Sequence, residues 1–187
     1  MRMETKRLYV RPLTAADEEA LFAVLSDEEV MRWIEPPYSL EQTRAFLLMA
    51  CGAELPPVYG VEEKASGLLV GHLIFHPFDG TAWELGWILR RDRWGRGFAS
   101  ELTAAAVATA REMRIPALVL ECCPEQLATR RLAERFGFQP EAGDGPLLRF
   151  RLRIEGDALP QSGERHGKTW QFSKKVSLSG EDSVIIP

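Results

Sequence analysis

The stretch W-G-R-G-F-A-S-E, from Trp94 to Glu101, combines residue types that could hold an anion. Gly95 and Gly97 flank Arg96, and Arg93 stands just before them. A plain turn needs at most one glycine at positive φ, so the second raises the question of what approaches the backbone. Without two Cβ atoms, successive N–H groups can form a concave nest for a phosphate. The apolar pattern beginning at Phe98 reads as a helix, whose first turn would face that nest with unpaired N–H groups and partial positive charge. Arg93 and Arg96 would add charge and forked donors. The plainer alternative is a strand-to-helix turn with a charged, solvated rim, and G-x-G alone leaves both open. G-x-x-x-x-G-K-[ST] does not occur, and the third glycine of a dinucleotide fingerprint is missing, so a diphosphate here would belong to another kind of cofactor.

Other reactive residue types group less tightly. The chain has three cysteines, an odd count without framework spacing. Cys122 and Cys123 sit at the end of the apolar run A-L-V-L-E-C-C and read as small packing residues. His72, His76 and His166 form no ligand cluster with them, so no metal is expected. Arg149, Arg151 and Arg153 alternate with Phe150, Leu152 and Ile154. That pattern reads as a half-buried strand with a charged outer face, the alternative being a basic surface for an acidic partner.

A nest at residues 93–99 needs a strand before it and a helix behind it. Trp83 to Arg90 alternates, with Trp83, Leu85, Trp87 and Leu89 on one face and Glu84, Gly86 and Ile88 on the other. Phe98 to Met113 carries Phe98, Leu102, Ala105, Ala106, Thr109 and Met113 at helical spacing. Upstream, Leu8 to Leu13 reads as a first strand. Three helix starts follow: Thr14 with Asp17, Ser26 with Glu29 for a short helix ending near Trp33, and Ser39 with Gln42. Val58 to Glu63 and Leu68 to Phe75 read as two strands joined by a turn. Downstream, Pro116 ends the long helix and Ala117 to Cys122 reads as a buried strand. Leu127 to Phe136 is a helix closed by Gly137. Leu147 to Ile154 and Thr169 to Leu178 are the last strands. This order predicts an α+β (mixed α/β) fold around a sheet of about seven strands. Residues 1–178 read as one domain and 179–187 as a C-terminal tail.

Three of these segments, in order, resemble the GNAT N-acetyltransferases, and within them the RimJ/RimL-like branch. They are T-K-R-L-Y-V-R-P-L with the D-E-E-A helix, G-H-L-I-F-H-P-F-D-G-T-A-W-E-L-G-W-I-L-R-R-D-R-W-G-R-G-F-A-S-E, and L-E-C-C-P-E-Q-L-A-T-R-R-L-A-E-R-F-G-F-Q-P-E. The resemblance implies a mixed, mostly antiparallel sheet with helices on both faces, splayed between Trp83–Arg90 and Ala117–Cys122. It implies that Arg93, Trp94, Gly95, Arg96, Gly97, Phe98 and Ala99 cradle the pyrophosphate of acetyl-CoA. Ile88, Leu89 and Arg90 would pair with the pantetheine arm like an added strand, and a backbone N–H there could polarise the thioester carbonyl. Glu84 matches a carboxylate position proposed as general base, its plain alternative being a polar residue on a half-exposed strand. Thr129 matches a Ser hydroxyl that could protonate the leaving thiolate, or it satisfies local backbone in a first helical turn. Gln126 stands where the family has Asn and is expected among the CoA-binding residues, the alternative being that its side-chain contact is lost or rerouted. Asp92 replaces a common Gln or Arg, and Ala133 a Tyr general acid that this branch often lacks. The acceptor would enter opposite the cofactor, where Trp33, Glu35 and Tyr38 could line its site.

The implied reaction is acetyl transfer from acetyl-CoA to a primary amine, on a protein N-terminus or a small molecule. The alternative is a non-catalytic acyl-CoA-binding or interaction module on the same fold. Composition sets wider limits. The 187 residues are 45% apolar and 27% charged, enough for one domain with a real core. A net charge of −4 argues against a nucleic-acid partner held by bulk charge. No apolar run is long enough for a membrane span, and the charged opening M-R-M-E-T-K-R does not read as a signal peptide, so a cytoplasmic location is expected. A homodimer is left open.

Overall fold

The structure, a computed structural model, describes residues 1–143 and 145–154. The expected strand at Thr169 to Leu178 and the tail from 179 to 187 lie outside the described residues. The expected mixed sheet is present, with eight strands in the order β1–β2–β3–β4–β5–β6–β8–β7. These are β1 (Met3–Glu4), β2 (Leu8–Arg11), β3 (Val58–Glu63), β4 (Leu68–Pro77), β5 (Trp83–Leu89), β6 (Ala117–Cys122), β7 (Gln139–Glu141) and β8 (Leu148–Arg153). The helices are α1 (Glu18–Leu25), α2 (Glu28–Met31), α3 (Leu40–Gly52), α4 (Phe98–Glu112) and α5 (Leu127–Arg135). β1 and β7 were not foreseen, because two or three residues show no period. Pro140 lies on the edge strand β7, where its missing N–H costs no ladder bond.

Local chemistry sets the helix starts. Asp17 accepts from the Thr14 N–H at 2.8 Å and its hydroxyl at 3.0 Å, and Arg11 grips both its oxygens at 2.8 Å. A short 3₁₀ turn, Ala15–Asp17, then leads into α1. The expected start at Ser26 is corrected by one residue. Ser26 Oγ instead donates to the Phe22 carbonyl at 2.7 Å and closes α1. Asp27 caps α2, its Oδ1 accepting from Glu29 N at 2.9 Å and Val30 N at 3.3 Å, and α2 stops at Met31, before Trp33. Both residue types cap well, so spacing alone could not choose between them. Ser39 and Gln42 form the expected reciprocal box at α3, and Gly137, at φ +83°, follows α5.

The sheet is packed on both faces. Leu73, Phe75, Leu85, Leu89, Leu118 and Leu120 meet Phe98, Leu102 and Ala106 of α4 on one side. Val58 and Leu69 meet Leu21 and Leu25 of α1, Met31 of α2 and Leu47 of α3 on the other. Each fully buried leucine contributes about 2 kcal/mol of transfer free energy. β5 separates its faces as its alternation predicts, with Ile88 packing on Val24 and Val30, away from Leu85 and Leu89.

The site depends on one irregular junction. All neighbouring strands pair antiparallel except β5 and β6, which run parallel and touch only at Trp83↔Leu118 and Glu84↔Val119. β5 stays paired with β4 as far as Gly71↔Leu89, and β6 with β8 as far as Cys122↔Leu148. Each strand keeps its outer partner while the two diverge, which opens the expected splay. On the far side of β4 the register slips between Val61 and Glu62, leaving Val70 as the extra residue beside Gly71, whose φ is +154°. A Cβ there would collide with the Ile88 carbonyl oxygen, so only glycine lets β4 follow β5 to its end.

Candidate functional site

The open edge of β5 follows from its ladder. The Arg90 N–H donates to the Val70 carbonyl at 2.9 Å. Backbone groups alternate along an antiparallel pair, so Ile88 and Gly86 also face β4, while Leu85, Trp87 and Leu89 turn theirs into the gap. Of Ile88, Leu89 and Arg90, the ladder therefore offers Leu89 to an added strand, together with Trp87. The Leu89 carbonyl also accepts from the Trp94 indole Nε1 at 2.8 Å. The Arg90 side chain turns to Asp92 at 3.2 Å and does not line the gap.

Beyond Leu89, a 3₁₀ turn at Arg91–Arg93 leads into the glycine loop. Gly95 and Gly97 adopt φ +72° and +77°, and Gly97 is the N-cap of α4. The backbone itself thus favours glycine at both positions. Arg7 secures the loop from behind. Its Nη1 donates to the Arg96 carbonyl at 2.8 Å, its Nε to Glu101 Oε2 at 2.7 Å, and its guanidinium lies 4.6 Å from the Phe98 ring centre. Glu101 also accepts from the Thr5 hydroxyl at 2.6 Å and the Arg7 N–H at 2.7 Å. Burial opposes the Glu101 charge, but the donors of Thr5 and Arg7 outweigh it and hold the carboxyl below its ordinary range.

A cavity of about 670 Å³ lies along this edge, lined by Ile88, Leu89, Arg93, Trp94, Gly95, Gly97, Phe98, Ala99, Gln126 and Thr129. Arg96 and Arg90 are not among its lining residues. Arg93 is, but its guanidinium is engaged by Glu63 at 3.1 Å and Asp92 at 2.8 Å. Arg32 and Arg135, which carry no sequence motif, also line it. Gln126 is the N-cap residue of α5, and its Oε1 accepts from the Cys123 N–H at 2.8 Å, folding the side chain back on its own turn.

A second cavity, of about 700 Å³, opens on the α3 side and is lined by Trp33, Glu35, Tyr38, Phe46, Glu84, Trp87, Glu121 and Thr129, among others. The two cavities share Trp33, Ile34, Trp87, Ile88, Gln126 and Thr129, and so meet at the gap. The three expected acceptor residues are brought together here, with the Tyr38 hydroxyl donating to Glu35 at 2.6 Å. Burial, and then that bond, push the Tyr38 pKa up. Glu84 lies one strand from His76, whose Nε2 is 3.3 Å from Glu84 Oε2. Glu121 pairs with Arg149 at 3.0 Å. Two arginines of the basic face of β8 are thus drawn into ion pairs, Arg151 with Asp79 and Glu141 in the same way as Arg149 with Glu121. His76, Glu121, Trp87, Arg32 and Arg135 escaped sequence reasoning. His76 lay just past the expected end of its strand at Phe75 and Glu121 inside an apolar run, and neither spacing pointed to the cavity.

A backbone edge left open by diverging parallel strands, continued by a positive-φ glycine loop at a helix N-terminus, suits an extended ligand ending in a diphosphate. Residues 7–139 match the family model described as an acetyltransferase (GNAT) domain, and the chain belongs to the GNAT acetyltransferase family. It is similar to the Bacillus subtilis protein YnaD, described as an uncharacterized N-acetyltransferase, at 30% identity over 146 residues, covering 75% of this chain and 84% of that one. Among solved structures, a GNAT-family acetyltransferase from Bacillus anthracis superposes with a TM-score of 0.75 at 27% identity, covering 83% of this chain and all of that one. The fold is also shared with RimL, a ribosomal L7/L12 alpha-N-protein acetyltransferase solved with coenzyme A, at a TM-score of 0.66 and 20% identity, covering 82% of this chain and 98% of that one. The chain is an acetyl-CoA-dependent acyltransferase. No group of residues able to hold a metal ion occurs among the described residues, and no helix among them is long and apolar enough to cross a membrane.

Proposed function

We propose that this enzyme acetylates a primary amine by direct transfer, with coenzyme A along β5 and the acceptor entering from the α3 side. The observation that carries the reading is the meeting of the two cavities at the β5–β6 gap, with Glu84 on the acceptor side and Thr129 shared by both. Acetyl-CoA supplies an activated thioester. The backbone groups of Trp87 and Leu89 hold its arm as an added strand, and an N–H there stabilises charge developing on the carbonyl oxygen. The loop at Gly95 and Gly97, with the first turn of α4, receives the diphosphate. Glu84 removes the proton that an amine must lose before it can attack. The hydroxyl of Thr129, which lines both cavities, gives a hydrogen bond to the departing sulfur.

Three carboxylates, Glu35, Glu84 and Glu121, and the rings of Trp33, Trp87, Tyr38 and Phe46 line the acceptor cavity. That lining favours a cationic amine, by charge and by cation–π attraction. A protein N-terminus and a small-molecule amine both satisfy it. The test is release of CoA thiol across a panel of small amines and N-terminal peptides. Turnover should appear on at least one class, and Glu84→Gln should lower kcat about 10²–10⁴-fold while acetyl-CoA affinity stays unchanged. Tight CoA binding with no turnover on any amine would instead support the non-catalytic module.

A further inference from the structure

We propose that His76 is a positioning residue for Glu84, and that the acceptor's proton comes to rest on its imidazole. The inference rests on Glu84 being the general base. His76 and Glu84 are register partners across β4 and β5, on the face that looks into the acceptor cavity. His76 is 4% exposed, and the Glu84 side chain is 26% exposed. The pair therefore has one end in the protein and one end in the site.

The geometry settles which imidazole nitrogen carries hydrogen. His76 Nδ1 lies 2.8 Å from the Pro77 carbonyl oxygen, which can only accept, so Nδ1 bears the proton. Nε2 then faces Glu84 Oε2 at 3.3 Å with its lone pair, unless a proton lies between them. The contact is a natural place for one. Burial works against a charged His76, but the bonds to Glu84 and Pro77 win and raise its pKa above the ordinary value. The other charged groups nearby leave this pairing intact. Glu121 of β6 has Arg149 of β8 as partner, Asp79 of the β4–β5 loop has Arg151, Glu18 of α1 has Arg44 of α3, and Glu35 has the Tyr38 hydroxyl.

A relay improves the chemistry for a plain reason. A free carboxylate, with pKa about 4.3, takes a proton from an alkylammonium, with pKa about 10.4, against roughly six powers of ten. An imidazole, with pKa about 6.5, faces roughly four. In the proposed step one N–H bond of the ammonium breaks and its electron pair stays on nitrogen for attack. The proton bonds to Glu84 and passes to His76 Nε2, so the imidazole becomes an imidazolium held against a carboxylate. Solvent in the open cavity removes the proton after the product leaves.

The experiment is the pH dependence of kcat/KM for wild type, Glu84→Gln, His76→Asn and His76→Gln, on the best amine of the panel. Wild type should lose activity as pH falls through the raised His76 pKa. The His76 variants should be about 10–100-fold slower at neutral pH, with the acid limb moved down toward the carboxylate range and KM for acetyl-CoA unchanged. Circular dichroism checks that they fold. If they do not, histidine ¹⁵N NMR of wild type and Glu84→Gln decides, because the His76 pKa should fall when the carboxylate is removed. A slow Glu84→Gln beside His76 variants with wild-type rate and profile, or a His76 pKa indifferent to Glu84→Gln, overturns the relay. A fully active Glu84→Gln overturns the base reading itself, and the relay with it.

Discussion

Gly97 shows how one residue can answer to two constraints at once. Its φ of +77° disfavours a branched side chain whether or not a diphosphate approaches, so Gly97→Val would distort the loop in the free protein. Asn tolerates the left-handed region, and a Cβ at this position meets only Arg7 Nη2, at 3.6 Å. Gly97→Asn should therefore keep its urea midpoint near wild type while binding acetyl-CoA about tenfold or more weakly by calorimetry, and unchanged affinity would count against the loop as diphosphate site. The other residue-scale consequence concerns His72, which is 2% exposed, with Nδ1 lacking a hydrogen-bond partner among the described residues. Burial pushes its pKa down to about 4. The unfolded chain takes up this proton near pH 6.5 and the folded chain only near 4, so the group costs stability as pH falls through that interval. The loss should reach roughly 3 kcal/mol in urea titrations, and His72→Leu should remove that slope. Asp17 and Asp79 have pKa values lowered in the fold, Asp79 to about 2, so their contributions persist to below about pH 4 and do not blur the test.

At the scale of elements, periodicity and capping chemistry carried most of the reading. β5 and α4 were legible because apolar residues recur at two clean periods, and α3 because Ser39 and Gln42 satisfy each other. The start of α2 was not, since Ser26 and Asp27 compete for one role and only the finished backbone decides. Nor was the hold on the glycine loop, because Arg7 and Glu101 lie far apart in sequence and meet only when β2 pairs beside β3 and α4 crosses the sheet. In the site, the glycine loop and Glu84 could be found from motifs. His76 and Glu121 could not, because cross-strand and cross-gap neighbours depend on register. The Arg7–Glu101 latch makes its own prediction. Arg7→Met should cost about 1–2 kcal/mol in unfolding free energy, since the bonds are charge-assisted but Arg7 is partly exposed. It should also speed amide hydrogen exchange selectively at residues 94–100. Uniform acceleration across the sheet would mean that Arg7 supports the fold and not the loop.

For the whole molecule, the decisive property is that its sheet stays incomplete between β5 and β6. Glu84 and Trp87 come from β5, Gln126 and Thr129 from the start of α5, and the divergence of two strands gathers them around one space. Every group assigned here to the loop and the β5 edge would recognise a part of coenzyme A that acetyl transfer leaves unaltered. The spent carrier would therefore bind nearly as well as the loaded one, since only the acetyl contacts near the carbonyl are lost. Free coenzyme A should inhibit competitively against acetyl-CoA in initial-rate kinetics, with an inhibition constant within about tenfold of the KM for acetyl-CoA. Rate-limiting departure of the thiol product would then cap turnover, and a pre-steady-state burst of acetylated amine would reveal it. An enzyme built this way senses the cell's ratio of acetylated to free carrier more than the amount of either.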